Sequence, residues 1–255
     1  MSNPFFSIII PTLNEEKYLP KLLADLTKQS FKEFEVIVVD GNSDDKTKSK
    51  TLEFSTRLNL QFFEVSKRNV SYQRNFGAEK ATTNFLIFLD ADARIPVNFL
   101  KKINQAIAAK KPDLLTTYIK TDEKGLKPIE TGSNLIFEVS KLIGYPALYG
   151  SMLLVKKSVF NAVGGFDEDL KYKEDTKLSQ EIFKKGYSYE ILRDTYYYWS
   201  LRRFRKQGNL KTLQKYVLLN LNKTLDYPMG GRIPIERRLK FKRFVENLIE
   251  KYKLQ

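Results

Sequence analysis

The chain has 255 residues, of which 42% are apolar, and it carries a formal net charge of +14. This length and apolar content are enough for one large domain with a buried core. The chain contains no cysteine and no histidine, which excludes disulfides, zinc thiolates, cysteine nucleophiles, Ser-His-Asp catalysis and histidine-ligated metals. Any acid–base chemistry near neutral pH therefore falls to Asp, Glu, Lys or Tyr.

The N-terminus and the missing thiols bear on where the protein works. The first apolar run, Ser7–Ile10, follows no basic segment, so we expect an entering strand and not a signal peptide. No apolar stretch approaches the ~18 residues of a membrane span. These features predict a cytoplasmic protein, either soluble or peripheral on the inner face of the cell membrane.

Apolar runs alternate with helical periodicity over the first ~120 residues, a pattern typical of a doubly wound α/β sheet. The runs predict strands at Ser7–Ile10, Val36–Val39, Leu60–Val65, Phe85–Leu89 and Leu114–Ile119. The periodic segments predict helices at Glu15–Gln29, Asp45–Leu58, Val70–Lys80 and Pro96–Lys110.

The pattern loosens after residue 120 and becomes strongly basic after residue 196. We expect helices at Asn134–Leu142, Lys157–Val163 and Asp175–Lys185, and strands at Met152–Val155 and Tyr187–Leu192. Residues 196–255 hold 15 lysines and arginines against 4 acids, a net of +11 out of +14. We therefore predict a catalytic domain over 1–200, with halves at about 1–120 and 121–200, and a basic amphipathic helical extension over 201–255.

Three polar segments follow the ends of predicted strands: Pro11-Thr12, Asp40-Gly41 and Asp90-Ala91-Asp92. Ligands of doubly wound sheets bind beyond the carboxyl ends of the strands, so we expect these segments to share one cleft. Two carboxylates one residue apart suit Mg²⁺ or Mn²⁺, which often share substrate phosphates. The second acidic cluster, Glu174-Asp175, is then free to supply a general base. Together the clusters indicate metal-assisted transfer from a nucleotide-activated donor.

Six segments follow one another along the chain: Ser-Ile-Ile-Ile-Pro-Thr-Leu-Asn-Glu-Glu, Val-Val-Asp-Gly-Asn-Ser-Asp-Asp-Lys-Thr, Arg74-Asn75-Phe76-Gly77, Asp90-Ala91-Asp92, Gly-Gly-Phe-Asp-Glu and Glu174-Asp175. In this order and spacing they strongly resemble family 2 glycosyltransferases, which have the GT-A fold. The resemblance covers roughly residues 5–195 and leaves out the basic extension.

The resemblance implies a nucleotide-sugar site built from the first half of the chain. The loop after the first strand packs around base and ribose in the family, which implies contacts from Pro11, Thr12, Asn14 and Glu15. The alternative for Asn14 is a helix cap. Asp40 is expected to bind base or ribose, although many relatives have two acids where this chain has Asp40-Gly41; the alternative is an Asp that initiates a turn.

The resemblance also assigns roles to charged residues around the diphosphate. Arg74 is expected to hold the donor phosphates or the metal-binding loop, the alternative being a surface ion pair with Glu79 or another acid. Asp90 and Asp92 match the family's DxD motif: Asp92 is expected to bind the metal and Asp90 the ribose or the metal's waters. The alternative is a capped turn before Pro96.

Asp175 is the expected general base for an inverting, single-sugar transfer, with Glu174 as the second choice. The alternative is that Asp175 or Thr176 only caps a helix. Gly150 falls where the family's acceptor-side loops lie. In the extension, Arg202, Arg203 and Arg205 are expected to contact the diphosphate or anionic lipid, the alternative being a helix packed on its own domain.

The sequence favours a glycosyltransferase with a UDP or GDP sugar as donor and a glycan or lipid-linked saccharide as acceptor. Three alternatives stay open: a polyprenyl-phosphate sugar transferase, whose anionic acceptor needs no base, a non-catalytic sugar-nucleotide binder, and a nucleic-acid-binding protein. The last is not expected, because its basic charge is confined to the extension and Asp90, Asp92, Glu174 and Asp175 would repel phosphates unless a metal is bound.

Overall fold

A computed structural model of the chain describes residues 3–121, 127–143, 146, 148–202 and 243. Most of the predicted basic extension over 201–255 lies outside these residues, including Arg203 and Arg205. Two compact units divide the chain: residues 1–118 with 148–199 form one, and residues 119–147 with 200–255 form the other. The predicted boundary near residue 200 stays a prediction.

Within the described residues, seven strands form one sheet in the order β3-β2-β1-β4-β6-β5-β7. β1, β2, β3 and β4 pair in parallel, while β6 runs antiparallel to both β4 and β5. The predicted mostly parallel sheet is confirmed. The strands are β1 (Phe6–Thr12), β2 (Phe34–Asp40), β3 (Leu60–Glu64), β4 (Phe85–Leu89), β5 (Leu114–Lys120), β6 (Met152–Lys156) and β7 (Tyr189–Tyr198).

Six of the described helices flank this sheet within the same unit: α1 (Leu19–Thr27), α2 (Thr47–Leu52), α3 (Val70–Lys80), α4 (Phe99–Lys110), α6 (Lys157–Ala162) and α7 (Glu174–Lys184). Helix α5 (Lys127–Ile143) belongs to the second unit. None of the described helices is both long and apolar enough to cross a membrane.

Helix α3 lies directly against the sheet because Gly77 has no side chain. A Cβ at Gly77 would lie 2.5 Å from Cγ2 of Ile9 on β1 and 3.3 Å from Cγ2 of Val39 on β2. Both strands are buried along their whole length. The glycine therefore sets the depth of α3, and with it the depth of Arg74, one turn earlier.

The carboxyl ends of the parallel strands and the start of β6 meet at one edge of the sheet. Thr12 pairs with Asp40, and Leu89 pairs with Met152. Because β6 is antiparallel to β4, the segment before Met152 enters the sheet beside the residues that follow Leu89. This edge therefore collects Asp40, the acidic segment after β4 and Gly150.

The amino end of the sheet holds a second polar cluster around Glu35, which is 2% exposed. Its Oε1 accepts hydrogen bonds from the Ser7 hydroxyl (2.6 Å), the Thr82 amide (2.7 Å) and the Thr82 hydroxyl (2.8 Å). Among the described residues, no lysine or arginine pairs with Glu35. Neutral donors thus satisfy this carboxylate.

Candidate active site

A single guanidinium, that of Arg74 on α3, joins the two acidic clusters. The Arg74 side chain is 3% exposed. Its Nη1 donates to Oε1 of Glu174 at 2.8 Å, and its Nη2 donates to Oδ1 of Asp90 at 2.9 Å and to the Gly150 carbonyl at 3.3 Å. The alternative of a surface ion pair with Glu79 is wrong, because Arg74 is buried and both of its partners belong to the predicted site.

Burial and charge act in opposite directions on Arg74. Burial alone would lower its pKa, but Asp90, Glu174 and Asp175 raise it above its ordinary value. The guanidinium therefore stays charged and offsets acids that would otherwise repel one another. The ring of Phe166 lies 5.1 Å from the guanidinium carbon and covers it.

Two asparagines of the same region fix the surroundings of Arg74. Asn69 is the N-cap of α3 and accepts from the Tyr72 amide at 2.9 Å. Asn75 accepts from the Phe166 amide (2.9 Å) and donates to the Phe166 carbonyl (2.8 Å). The Phe166 ring is therefore held against Arg74 by the neighbouring residue of α3.

The acidic segment after β4 forms a tight turn at the edge of the sheet. The Asp90 amide donates to the Ser151 carbonyl (3.3 Å) and the Ala93 amide to the Asp90 carbonyl (3.0 Å). The Asp90 side chain is 36% exposed, Ala91 is buried and Asp92 is partly buried. The turn before Pro96, which was the alternative to a metal-binding motif, is therefore present. In addition, one carboxylate oxygen of Asp90 accepts a hydrogen bond from Arg74.

The residue after this turn, Arg94, ties it to two other elements. Its Nε and Nη2 donate to the two oxygens of Asp25 on α1, at 2.5 and 2.8 Å. Its backbone pairs with Tyr198 at the end of β7. The segment that carries Asp90 and Asp92 is thus held at both ends.

A divalent cation at Asp90 and Asp92 would have to take most of its ligands from substrate. Within the described residues, no group of three or more acidic side chains is arranged to hold an ion. Mg²⁺, however, is usually bound through one or two carboxylates plus substrate phosphates and water. The fit therefore depends on a phosphate-bearing ligand.

Helix α7 begins at Glu174 and presents Asp175 in its first turn. Oδ2 of Asp175 accepts from the Gly150 amide at 2.5 Å, and Oδ1 accepts from the Thr176 amide at 2.7 Å. The N-cap is Lys173, with φ of 66°. Neither Asp175 nor Thr176 therefore holds the N-cap position, although Asp175 accepts from an amide of the first turn.

Burial raises the pKa of Asp175 from its ordinary value to about 6. The charge of Glu174 acts in the same direction, whereas the Gly150 amide, Arg74 and the Thr176 amide lower this pKa. A carboxyl group with such a pKa is ionised near neutral pH and can take up a proton, which suits a general base.

Gly150 has no room for a side chain. A Cβ there would lie 2.9 Å from both Nη atoms of Arg74. The glycine therefore lets its amide reach Asp175 and its carbonyl reach Arg74 at the same time.

The loops after β1 and β2 interlock at the other side of this edge. Asp40, 1% exposed, accepts from the Thr12 hydroxyl at 2.9 Å and from the amide and hydroxyl of Ser43 at 2.7 and 2.6 Å. The Gly41 amide donates to the Thr12 carbonyl at 2.9 Å. These contacts match the turn interpretation of Asp40, so a nucleotide contact would add to bonds already made.

Asn14 and Glu15 connect the β1 loop to the segment before α2. Oδ1 of Asn14 accepts from the Asp44 amide (2.8 Å), and the Glu15 amide donates to the Thr47 hydroxyl (2.8 Å). The backbone φ of Asn14 is 57°. The N-cap of α1 is Tyr18, so the alternative of Asn14 as a helix cap is wrong. Pro11 is buried at the end of β1.

Sequence reasoning missed Gln73, which joins the two loops from below. Its Nε2 donates to the carbonyls of Thr12 (2.7 Å) and Val39 (2.8 Å), and the side chain is 4% exposed. Its place next to Arg74, on a helix side facing the sheet, was the only available signal.

Three arginines were expected to contact the diphosphate or lipid after β7. Arg202 is partly buried, and its amide donates to the Ser200 hydroxyl at 3.4 Å. Arg203 and Arg205 lie outside the described residues.

The family model for glycosyl transferase family 2 matches residues 7–164. This chain belongs to that family. The predicted resemblance is thereby confirmed, and the match contains Arg74, Asp90, Asp92 and Gly150, although it ends before Glu174 and Asp175.

Two curated relatives are each 30% identical to the chain over the aligned residues. It is 30% identical over 209 residues to the poly(ribitol-phosphate) beta-N-acetylglucosaminyltransferase TarS of Staphylococcus aureus, covering 78% of this chain and 36% of that protein. It is 30% identical over 203 residues to a dolichyl N-acetyl-alpha-D-glucosaminyl phosphate 3-beta-D-2,3-diacetamido-2,3-dideoxy-beta-D-glucuronosyltransferase of Methanococcus voltae, covering 73% and 60%. The chain thus spans less than two thirds of either relative.

Solved structures show the same architecture. The S. aureus TarS fragment 1–349 in complex with UDP-GlcNAc superposes with a TM-score of 0.69 at 23% identity, covering 97% of this chain and 73% of that one. The mannosyltransferase PcManGT of Pyrobaculum calidifontis, in complex with GDP-Man and Mn²⁺, gives 0.70 at 21%, covering 96% and 70%. These likenesses establish the predicted GT-A fold.

Proposed function

We propose that this protein is an inverting, metal-dependent glycosyltransferase that moves one sugar from a nucleotide-diphosphate sugar to an acceptor hydroxyl. The observation that carries the proposal is the buried Arg74 guanidinium, which holds Asp90 and Glu174 at 2.9 and 2.8 Å. Three charges from distant parts of the sequence meet at one edge of the sheet, and a core needs no such cluster, since burying ions is costly.

The donor is expected to bind along this edge, with its nucleoside over the loops of Thr12 and Asp40 and its diphosphate at Asp90 and Asp92. A UDP or GDP sugar is expected, since relatives of the same fold are named in complexes with UDP-GlcNAc and GDP-Man. A divalent cation at Asp90 and Asp92 would offset the charge that develops on the leaving diphosphate.

Asp175 is the proposed general base. Hydrogen bonds from the Gly150 and Thr176 amides fix the orientation of its carboxylate, and its pKa of about 6 lets it accept the proton of an acceptor hydroxyl near neutral pH. The hydroxyl oxygen then attacks the anomeric carbon while the bond to the diphosphate breaks, which inverts that carbon. Arg74 balances the negative charge of the carboxylates. The acceptor is expected to be a glycan or a lipid-linked saccharide, as the names of the relatives suggest.

The first test is a thermal-shift and donor-hydrolysis assay with UDP-, GDP-, dTDP- and CDP-sugars and Mn²⁺ or Mg²⁺. We expect one donor class to raise the melting temperature, and we expect the shift to disappear with EDTA and in Asp92→Ala. Glu79→Ala, which removes an exposed acid of α3, is the matched control and should behave as the unmodified chain. No shift with any donor would refute the metal–diphosphate assignment.

A polyprenyl-phosphate sugar transferase is the second candidate, since it shares the donor site. Its acceptor is already an anion and needs no base. Asp175→Asn separates the two proposals, because it should abolish transfer to a hydroxyl but spare transfer to a polyprenyl phosphate.

A further inference from the structure

The short segment Tyr149–Ser151 contacts three charged residues of the candidate site. The Gly150 amide donates to Asp175 at 2.5 Å, and the Gly150 carbonyl accepts from Arg74 at 3.3 Å. The Ser151 carbonyl accepts from the Asp90 amide at 3.3 Å. Tyr149, which begins this segment, is therefore the sequence neighbour of the residue whose amide binds the proposed base.

The aromatic side chain of Tyr149 is stacked on that of Trp199. The rings of Tyr149 and Trp199 lie 5.4 Å apart at an interplanar angle of 25°. Both residues are partly exposed, and Trp199 is the only tryptophan of the chain. A hydrogen bond of 2.7 Å between the Ser151 hydroxyl and the buried Tyr197 hydroxyl keeps the two strand ends side by side.

The position of this aromatic pair indicates which substrate it can contact. Tyr149 is adjacent to Gly150, so its Cα lies about 3.8 Å from that of the residue that binds Asp175. The nucleotide loops belong to β1 and β2, two and three strands away from β6 in the sheet. A ligand on the aromatic pair would thus approach the base from the acceptor side.

We propose that the stacked pair Tyr149–Trp199 is the platform on which a pyranose ring of the acceptor lies. Aromatic rings offer a flat apolar surface, and a pyranose offers a flat face of C–H groups with hydroxyls around its rim. Stacking would leave those hydroxyls free to reach Asp175. This inference rests on the proposed function and narrows its acceptor to a saccharide with a ring, as opposed to an acyclic polyol.

The fluorescence of the sole tryptophan provides the test. The full chain is titrated with a panel of pyranose disaccharides, with ribitol as the acyclic control, and with the donor alone. We expect a saturable change in emission with at least one disaccharide and none with ribitol or donor. Tyr149→Ala retains the reporter and should weaken that titration about tenfold, which corresponds to about 1.4 kcal/mol. Trp199→Ala should raise the acceptor KM by a similar factor while the donor-induced thermal shift persists.

Tyr187→Ala is the matched control, because it removes a partly buried tyrosine beyond the far end of α7. An unchanged titration in Tyr149→Ala, no response to any disaccharide, or a response to the donor alone would overturn the inference. The last result would mean that the pair stacks on the nucleobase. If the donor produces no thermal shift in the unmodified chain, the proposed function itself fails, whereas a donor shift without a saccharide response refutes only the platform.

Discussion

The two ends of the sheet each hold a polar cluster built around carboxylates or a single carboxylate, and the two clusters satisfy that negative charge in opposite ways. At the amino end, Glu35 is satisfied by hydroxyl and amide donors of Ser7 and Thr82. At the carboxyl end, Asp90 and Glu174 share the one guanidinium of Arg74. The first cluster is hydrogen-bonded within a closed core, while the second is ionic and partly open to solvent.

The difference separates a structural from a functional use of buried charge. Neutral donors fully satisfy a carboxylate and hold elements together, as Glu35 does for β1, β2 and the segment before β4. A cluster of several acids around one cation gains little stability, because desolvation offsets much of the attraction. It does place charged groups where a ligand can bind them. We therefore expect variants of the carboxyl-end cluster to change activity, and variants of the Glu35 cluster to change stability alone.

Among variants of the carboxyl-end cluster, Asp175→Asn should cause the largest loss of transfer activity. The amide keeps the shape of the side chain but cannot accept a proton, so kcat for sugar transfer should fall by a factor of about 10² to 10⁴. Donor binding, read by thermal shift, should survive. Steady-state kinetics with a hydroxyl acceptor check this, and a variant with near-normal kcat would remove Asp175 from the role of base.

Arg74→Met should be the most damaging change for stability. It leaves buried carboxylates without their cation, and breaking a buried pair costs about 3–5 kcal/mol. Urea unfolding measures the loss. Arg74→Lys keeps the charge but not the planar fork, so it should recover part of the stability and little of the transfer activity. Equal stability of Arg74→Met and the unmodified chain would contradict the ionic description of this cluster.

Glu35→Ala should act on stability alone. It removes the acceptor shared by the Ser7 hydroxyl, the Thr82 amide and the Thr82 hydroxyl, which costs about 1–3 kcal/mol. The specific activity of the folded fraction should not change, because the residue lies at the end of the sheet away from the site. A large loss of activity per folded molecule would break the distinction between the two ends.

The pH dependence should show the smallest effect and the most specific one. Because the pKa of Asp175 is about 6, turnover should rise with pH through this value, falling about tenfold per unit below it. Stability should change in the opposite sense: the folded state holds the proton more strongly than the unfolded state, so Asp175 makes stability fall as pH rises from the ordinary carboxyl range to about 6. Asp175→Asn should remove both trends, as activity profiles and urea unfolding at several pH values would show.

Local sequence patterns correctly predict the bounds of elements that are determined by their own side chains. Helix α3 and strand β4 begin and end at the predicted residues, Val70–Lys80 and Phe85–Leu89. Asn69 caps the helix, and five consecutive apolar residues form the strand. Helix α1 begins at Leu19, not at the predicted Glu15, because residues 16–18 form a turn in which the Tyr18 amide donates to the Glu15 carbonyl at 3.1 Å.

Contacts over long sequence distances could not be predicted from such patterns. Strand β7 runs on to Tyr198, beyond the predicted Leu192, because its end pairs with Arg94 in spite of the exposed Arg193 and Asp194 that interrupt its alternation. The same limit applies to the site. The sequence predicts the acids and Arg74 as candidates, but their shared ion pairs join α3 to the turn after β4 and to α7, which lie 16 and 100 residues from Arg74.

The insertion of β6 between β4 and β5 has a consequence for the order in which the nascent chain can fold. Strand β4 carries the sequence Phe-Leu-Ile-Phe-Leu, and its partner Met152–Lys156 is synthesised more than sixty residues later. Until then one edge of an apolar strand is unpaired, which is the kind of surface on which chains aggregate. A ribosome that pauses between residues 90 and 150 would expose this edge for longer, so chaperone demand during synthesis should peak in that interval.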